Sequence, residues 1–140
     1  MAQAISASAK GMDFTPRFAE SHAVAGSPAL AAITTVCSLT FPGFSDVAIM
    51  NGVQLEGWAA FTVGTSGVTA KLDIRQTSTA GAVIATTGLL TVVATNLVAF
   101  AVQGIDQAPL AAGVWVLCLT IGSGAAVSTV SATQLQASAI

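Results

Sequence analysis

Charge is what this sequence has least of. Four Lys or Arg and six Asp or Glu make up 7% of its 140 residues, where a soluble domain typically carries about 25%. Lys10, Arg17, Lys71 and Arg75 are the only fixed cations. They are too few and too scattered to form a patch that neutralises several phosphates, which argues against direct nucleic acid binding. Tyrosine is absent and histidine occurs once, as His22. A nucleophilic Ser or Cys would have to use that imidazole, which lies in the polar N-terminal stretch away from any strand end able to hold it, so the chain is read as a non-enzyme. Gly64-Thr-Ser-Gly67 is one residue short of a nucleophile elbow and has strand patterns on both sides instead of a strand and a helix. Three Cys and His residues cannot fill the four positions of a structural zinc site. Asp46, Asp73 and Asp106 are isolated acids of the kind that make local Asx-type hydrogen bonds rather than meet at a calcium ion. No cofactor and no metal is expected.

Cysteine is also sparse. Cys37 and Cys118 each sit in an apolar, strand-like run, where a free thiol behaves as a small hydrophobe. Two buried thiols are the expectation, and a disulfide is the alternative. The N-terminus has no basic segment followed by an apolar core, so it does not read as a secretory signal, and assembly in a cytoplasm is expected. From Gln76 to Ile105 there is no charge at all, and Ala82 to Val102 is strongly apolar. Thr86-Thr-Gly88 and Thr95-Asn96 interrupt that run, β-branched residues are frequent in it, and neither flank carries a Lys/Arg cluster. It is read as buried strands and not as a membrane helix.

What the sequence does have is apolar residues, 54% of the chain, arranged with a period of two. Ile33, Thr35, Cys37, Leu39 and Phe41 alternate with Thr34, Val36, Ser38 and Thr40 before Pro42-Gly43. Val53 to Val63 is a second strand pattern, with Trp58 on its polar face. Gly64-Thr-Ser-Gly67 is read as a hairpin into a third, Val68 to Thr77. There Val68, Ala70, Leu72 and Ile74 face a core, and Lys71, Asp73 and Arg75 face solvent or a polar rim. Ser78-Thr-Ala-Gly81 signals another hairpin, into Ala82 to Thr87. Leu89 to Val93 and Leu97 to Val102 give one or two more strands, and Asp106-Gln-Ala-Pro109 with Gly113 a loop. Val114 to Ile121 is apolar on both faces, as in a central sandwich strand, and Val127 to Ala139 is the last strand.

Seven or eight short strands without an amphipathic helix predict an all-β fold, an antiparallel β-sandwich of jelly-roll or Greek-key type over residues 29–140. Residues 1–28 precede it as an extended N-terminal arm, holding Lys10, Asp13, Arg17, Glu20 and His22. Phe14 and Phe18 would be exposed on a free arm, so the arm is read as one that orders on a neighbouring subunit. Trp58 and Trp115 are assigned to the core or to a subunit interface, where aromatics are enriched. The candidate interface residues are therefore Phe14, Phe18, Trp58 and Trp115. With so little charge to keep a monomer solvated, a homo-oligomer is expected.

Ala112-Gly-Val-Trp-Val-Leu-Cys-Leu-Thr-Ile121 and Ala126-Val-Ser-Thr-Val-Ser-Ala132, preceded by Lys71-Leu-Asp-Ile-Arg-Gln-Thr77 and Gly81-Ala-Val-Ile-Ala-Thr86, resemble the small β-sandwich decoration (cement) proteins of tailed bacteriophage capsids. The resemblance spans roughly Val53 to Ile140 and rests on pattern and composition, with no catalytic or ligand motif. It implies a jelly-roll-like virion structural subunit, commonly trimeric, seated on the outer capsid surface, where it bridges major capsid proteins. A carbohydrate-binding or host-adhesion module, and a subunit of a tail, fibre or other filament, are the alternatives that composition leaves open.

Overall fold

The computed structural model describes residues 18–23, 32–44, 51–64, 67–93, 97–122 and 129–140. Phe14, Asp46 and the arm outside residues 18–23 lie beyond the described residues. Those described contain nine strands: β1 (Phe18–Ala23), β2 (Ile33–Thr40), β3 (Val53–Thr62), β4 (Val68–Gln76), β5 (Val83–Thr86), β6 (Leu90–Val92), β7 (Leu97–Asp106), β8 (Val114–Ile121) and β9 (Thr129–Ala139). No α-helix occurs among them. The apolar run from Ala82 to Val102 supplies β5, β6 and most of β7, and no described helix is long and apolar enough to cross a membrane.

The strands form two antiparallel sheets, one in the order β1-β9-β3-β7 and the other β2-β8-β4-β5, with β6 pairing the same β4. β5 lies against Asp73 to Arg75 and β6 against Val68 to Ala70, so together they make one interrupted strand along β4. Counted that way there are eight strands, and they pair first with last, second with seventh, third with sixth and fourth with fifth. That is a long antiparallel hairpin rolled up on itself, and it decides between the two expected topologies in favour of the jelly roll.

Between the sheets, the inward residues of every long strand close on one another. Leu55, Phe61, Leu72, Ile74, Trp115, Leu117, Leu119, Ile121 and Leu135 are all buried in one core. The strongly alternating β4 behaves as its pattern requires on this side, and Leu72→Ala is expected to cost about 2–5 kcal/mol in a denaturant titration. Lys71→Ala should cost under about 1 kcal/mol, because its ammonium is partly exposed and stands 3.6 Å from Asp73. Equal losses for the two would reject this facing.

Four expectations need correction. Gly64 to Gly67 does not join a hairpin: β3 is already paired on both edges, by β7 and β9, and the chain crosses to the other sheet. Turn composition specifies a reversal, not the partner of the strand that follows it. In β2 the two faces exchange half-way, since a bulge lets Val36 bypass pairing while Thr35 opposes Cys118 and Cys37 opposes Leu117. Ile33 and Thr35 are therefore exposed, and Val36, Cys37 and Leu39 buried. The carbonyl of Val36 is met by the buried Thr133 hydroxyl, 3.1 Å away, which is also 3.1 Å from the carbonyl of Ala23.

The third correction is the arm boundary. Residues 18–23 are strand β1, in register with Ser138 to Thr133 of β9, and so belong to the sandwich. The fourth is Asp73, which is 1% exposed instead of solvated. It accepts a hydrogen bond from Arg75 at 3.0 Å, and Arg75 also donates to the carbonyl of Thr79 at 2.9 Å. An isolated buried carboxylate is costly, and the Arg75 guanidinium beside it makes it tolerable.

Candidate functional site

Two surfaces stand out once the core is accounted for. The first is the outer face of the β1-β9-β3-β7 sheet. Register places Glu20, Gln136, Glu56 and Gln103 on one rung, and His22, Gln134, Trp58 and Ala101 on the next. Side chains on one face of adjacent rungs are neighbours, so polar groups from four strands meet here. The Trp58 indole N–H donates to Gln134 Oε1 at 2.7 Å, and Gln134 Nε2 donates to Glu20 Oε2 at 2.9 Å. His22 Nε2 lies 3.1 Å from that same oxygen. Turning the amide over would aim its NH2 at the indole N–H, so the relay fixes the orientation of Gln134 and, through it, of the ring.

Beside that ring is a groove of about 290 Å³, lined by Glu56, Gly57, Trp58, Ala101, Val102, Gln103, Gln134 and Gln136. Its origin is local. Trp58 has Gln134 on its β9 side and only the methyl group of Ala101 on its β7 side, which leaves space on that side. The expected polar-face position of Trp58 is met, with the residue 37% exposed.

The second is the edge region formed by β5, β6, β7 and the loops after them, where Leu97 and Ile105 share the outer face of β7 with Ala101 and Val83 lies on the other sheet. Among the described residues, Val83, Leu89, Leu90, Val93, Leu97, Ile105 and Leu110 are exposed, seven of the ten large hydrophobics that are. No charged residue occurs between Arg75 and Asp106. β7 ends its sheet and β5 with β6 ends the other, and the two edges come together where a Cβ on Gly104 would stand 2.9 Å from that of Ala85. Exposed edges are usually protected by charges or proline; β5, β6 and β7 have neither before Asp106.

Of the other sequence candidates, Phe18 is half-exposed on β1, and Trp115 belongs to the interior of its own subunit. Trp115 is 1% exposed, stacks edge-on against Phe44 at 5.4 Å, and donates its indole N–H to Asp106 Oδ2 at 3.0 Å. An interface role for its ring is thereby corrected: strand β8 is flanked by β2 and β4 and faces the core. Gly113 ahead of it has φ +63°, and a Cβ there would stand 2.6 Å from the Cβ of Phe44, so both backbone and packing require glycine. Both cysteines are free and buried. Burial raises the Cys118 thiol above its ordinary pKa, a hydrogen bond with Thr35 opposing the shift.

No protein-family model matches the sequence, and no curated protein matches it significantly. The fold is similar to that of a viral chain of known structure. A chain in the structure of infectious bursal disease virus, Gx strain, superposes with a TM-score of 0.53 at 10% identity, over 88% of this chain and 32% of that one. This chain thus spans about a third of the viral one. A chain from Bacillus endospore appendages, described as a novel family of disulfide-linked pili, superposes with a TM-score of 0.44 at 10% identity, over 88% of this chain and 89% of that one. At such identity the viral likeness speaks to the β-sandwich fold alone.

Proposed function

We propose that this chain is a non-catalytic structural subunit that functions by assembly, as a decoration or cement protein on the outside of a viral capsid lattice. The observation that carries the reading is the uncharged flank of β5, β6 and β7, where seven large hydrophobics are exposed. Removing apolar surface from water contributes about 25 cal/mol per Å², and an array repeats each such contact by symmetry. Resemblance to phage decoration proteins supplies the finer terms: a trimer, a major capsid protein as its seat, and the virion surface as its place. A subunit of a tail, fibre or other filament would use the same flank in an open instead of a closed array.

The decisive experiment pairs native mass spectrometry with charge insertion on the flank. Wild type is expected as a closed oligomer that binds empty capsids, and Val93→Asp with Leu97→Asp as a folded monomer that does not. These residues are 81% and 60% exposed, so the substitutions should leave the unfolding midpoint close to that of wild type. A wild-type protein that stays monomeric at high concentration contradicts the reading; open polymers move it to the filament.

A further inference from the structure

The groove beside Trp58 is not explained by assembly through the β5-β6-β7 flank, and its chemistry is specific. We propose that it is a binding site for a neutral carbohydrate, taking one or two pyranose rings of a longer glycan. Trp58 is the stacking platform, and Glu56, Gln103 and Gln136 are the hydrogen-bonding walls.

The ring comes first. Its N–H is already donated to Gln134, so what the indole offers a ligand is its π surface, which attracts the weakly positive C–H groups on the face of a sugar. The ring is also held before any ligand arrives, by the relay through Gln134 to Glu20, so little side-chain freedom remains to be lost on binding. A tryptophan used only for packing would be buried as Trp115 is. Trp58 is instead more than a third exposed, on a strand whose inward neighbours Leu55 and Ala59 are fully buried.

The walls come next. Glutamine amides both donate and accept, and a carboxylate accepts only. Gln103 and Gln136 flank Glu56 on its two neighbouring strands, and Glu56 is approached by Gln54 Nε2 at 3.4 Å. Hydroxyl groups, each a donor and an acceptor, match such a set. No Lys, Arg or His lines the groove, and Glu56 would repel a carboxylate, sulfate or phosphate. The ligand class is therefore an uncharged sugar and not a uronic or sialic acid. At about 290 Å³ the groove lies at the small end of ligand sites, which run from roughly 300 to 1,000 Å³. β7 forms its outer wall and ends the sheet, so a longer glycan could leave across that edge.

The test uses the full chain and soluble neutral tetrasaccharides of the gluco-, galacto- and N-acetylglucosamine series, with a uronic-acid tetrasaccharide as the charged control. Acrylamide should quench Trp58 in the free protein, and at least one neutral series should protect it and give saturation transfer from the protein to its ring protons, with millimolar or tighter affinity. Trp58→Ala should weaken that binding by about tenfold or more. Ala101→Leu should do the same while keeping the tryptophan and every polar wall group, because it fills the groove. Trp58→Ala, on β3, should retain the wild-type oligomer mass, which separates this site from the flank. The proposal is overturned if no neutral sugar in the panel binds, if only the charged control does, or if binding survives both substitutions. It is equally overturned if Trp58 resists acrylamide before any sugar is added, since a second copy of the chain then covers the groove.

Discussion

Asp106→Ala is expected to cost about 3–5 kcal/mol of folding stability, because it removes three hydrogen bonds to one carboxylate, each worth about 1.5–3 kcal/mol, and leaves a buried donor without an acceptor. The carboxylate is 2% exposed and ties three parts of the chain together. Its Oδ2 accepts from Trp115 Nε1 at 3.0 Å and from Gln76 Nε2 at 2.8 Å, and its Oδ1 accepts from the backbone N–H of Ala108 at 3.0 Å. Deleting it strands the Trp115 indole N–H in the core, and a buried donor without an acceptor costs about 1–3 kcal/mol by itself. Asp106→Asn keeps one acceptor oxygen but turns an NH2 toward a donor, so an intermediate loss is expected. Equilibrium unfolding in urea reads both, and an alanine variant as stable as wild type would show that the network is not holding β4, β7 and β8 together.

That residue also shows how far the sequence reaches. Its local role was legible, since an Asp opening a Gln-Ala-Pro turn is expected to bond to the backbone two residues on, and Ala108 is that partner. Its bonds to Gln76 and Trp115 depend on how the roll brings three strand ends together, which no local pattern encodes. The same division holds along the chain. β3, β4 and β8 were readable within a residue or so, because side-chain alternation or an unbroken apolar run records how many faces a strand buries. β1 was not, because Phe-Ala-Glu-Ser-His-Ala is a short, polar edge strand that buries only Ala19 fully. The burial of Asp73 was hidden too, since Lys-Leu-Asp-Ile-Arg reads as one wet face unless the strands on either side are known. The Trp58 groove joins residues of β3, β7 and β9, and its relay spans 114 positions from Glu20 to Gln134. Only the exposed position of Trp58 could be read in advance.

The roll-up makes a sharp prediction about where the N-terminal arm ends. A deletion of residues 1–17 keeps the nine strands of the described residues, whereas a deletion of residues 1–24 removes β1. Without β1, β9 keeps β3 but loses the partner on its other edge from Thr133 to Ser138. The Thr133 hydroxyl loses the carbonyl of Ala23, and the buried Cys37 thiol loses that of Ser21, 3.4 Å away. Ala19 leaves the core, and a long strand carrying Leu135 and Ala137 becomes a sheet edge open to another chain. The longer deletion should therefore lose about 4 kcal/mol or more, beyond what a single substitution usually costs, or accumulate as aggregate. The shorter one should unfold at nearly the wild-type denaturant midpoint. If residues 1–17, with Phe14, reach a neighbouring subunit, the shorter deletion should also weaken the oligomer while leaving the fold intact. Matching midpoints for the two deletions would mean that β1 contributes little to the sandwich, and an unweakened oligomer in the shorter one would end the case for an intersubunit arm.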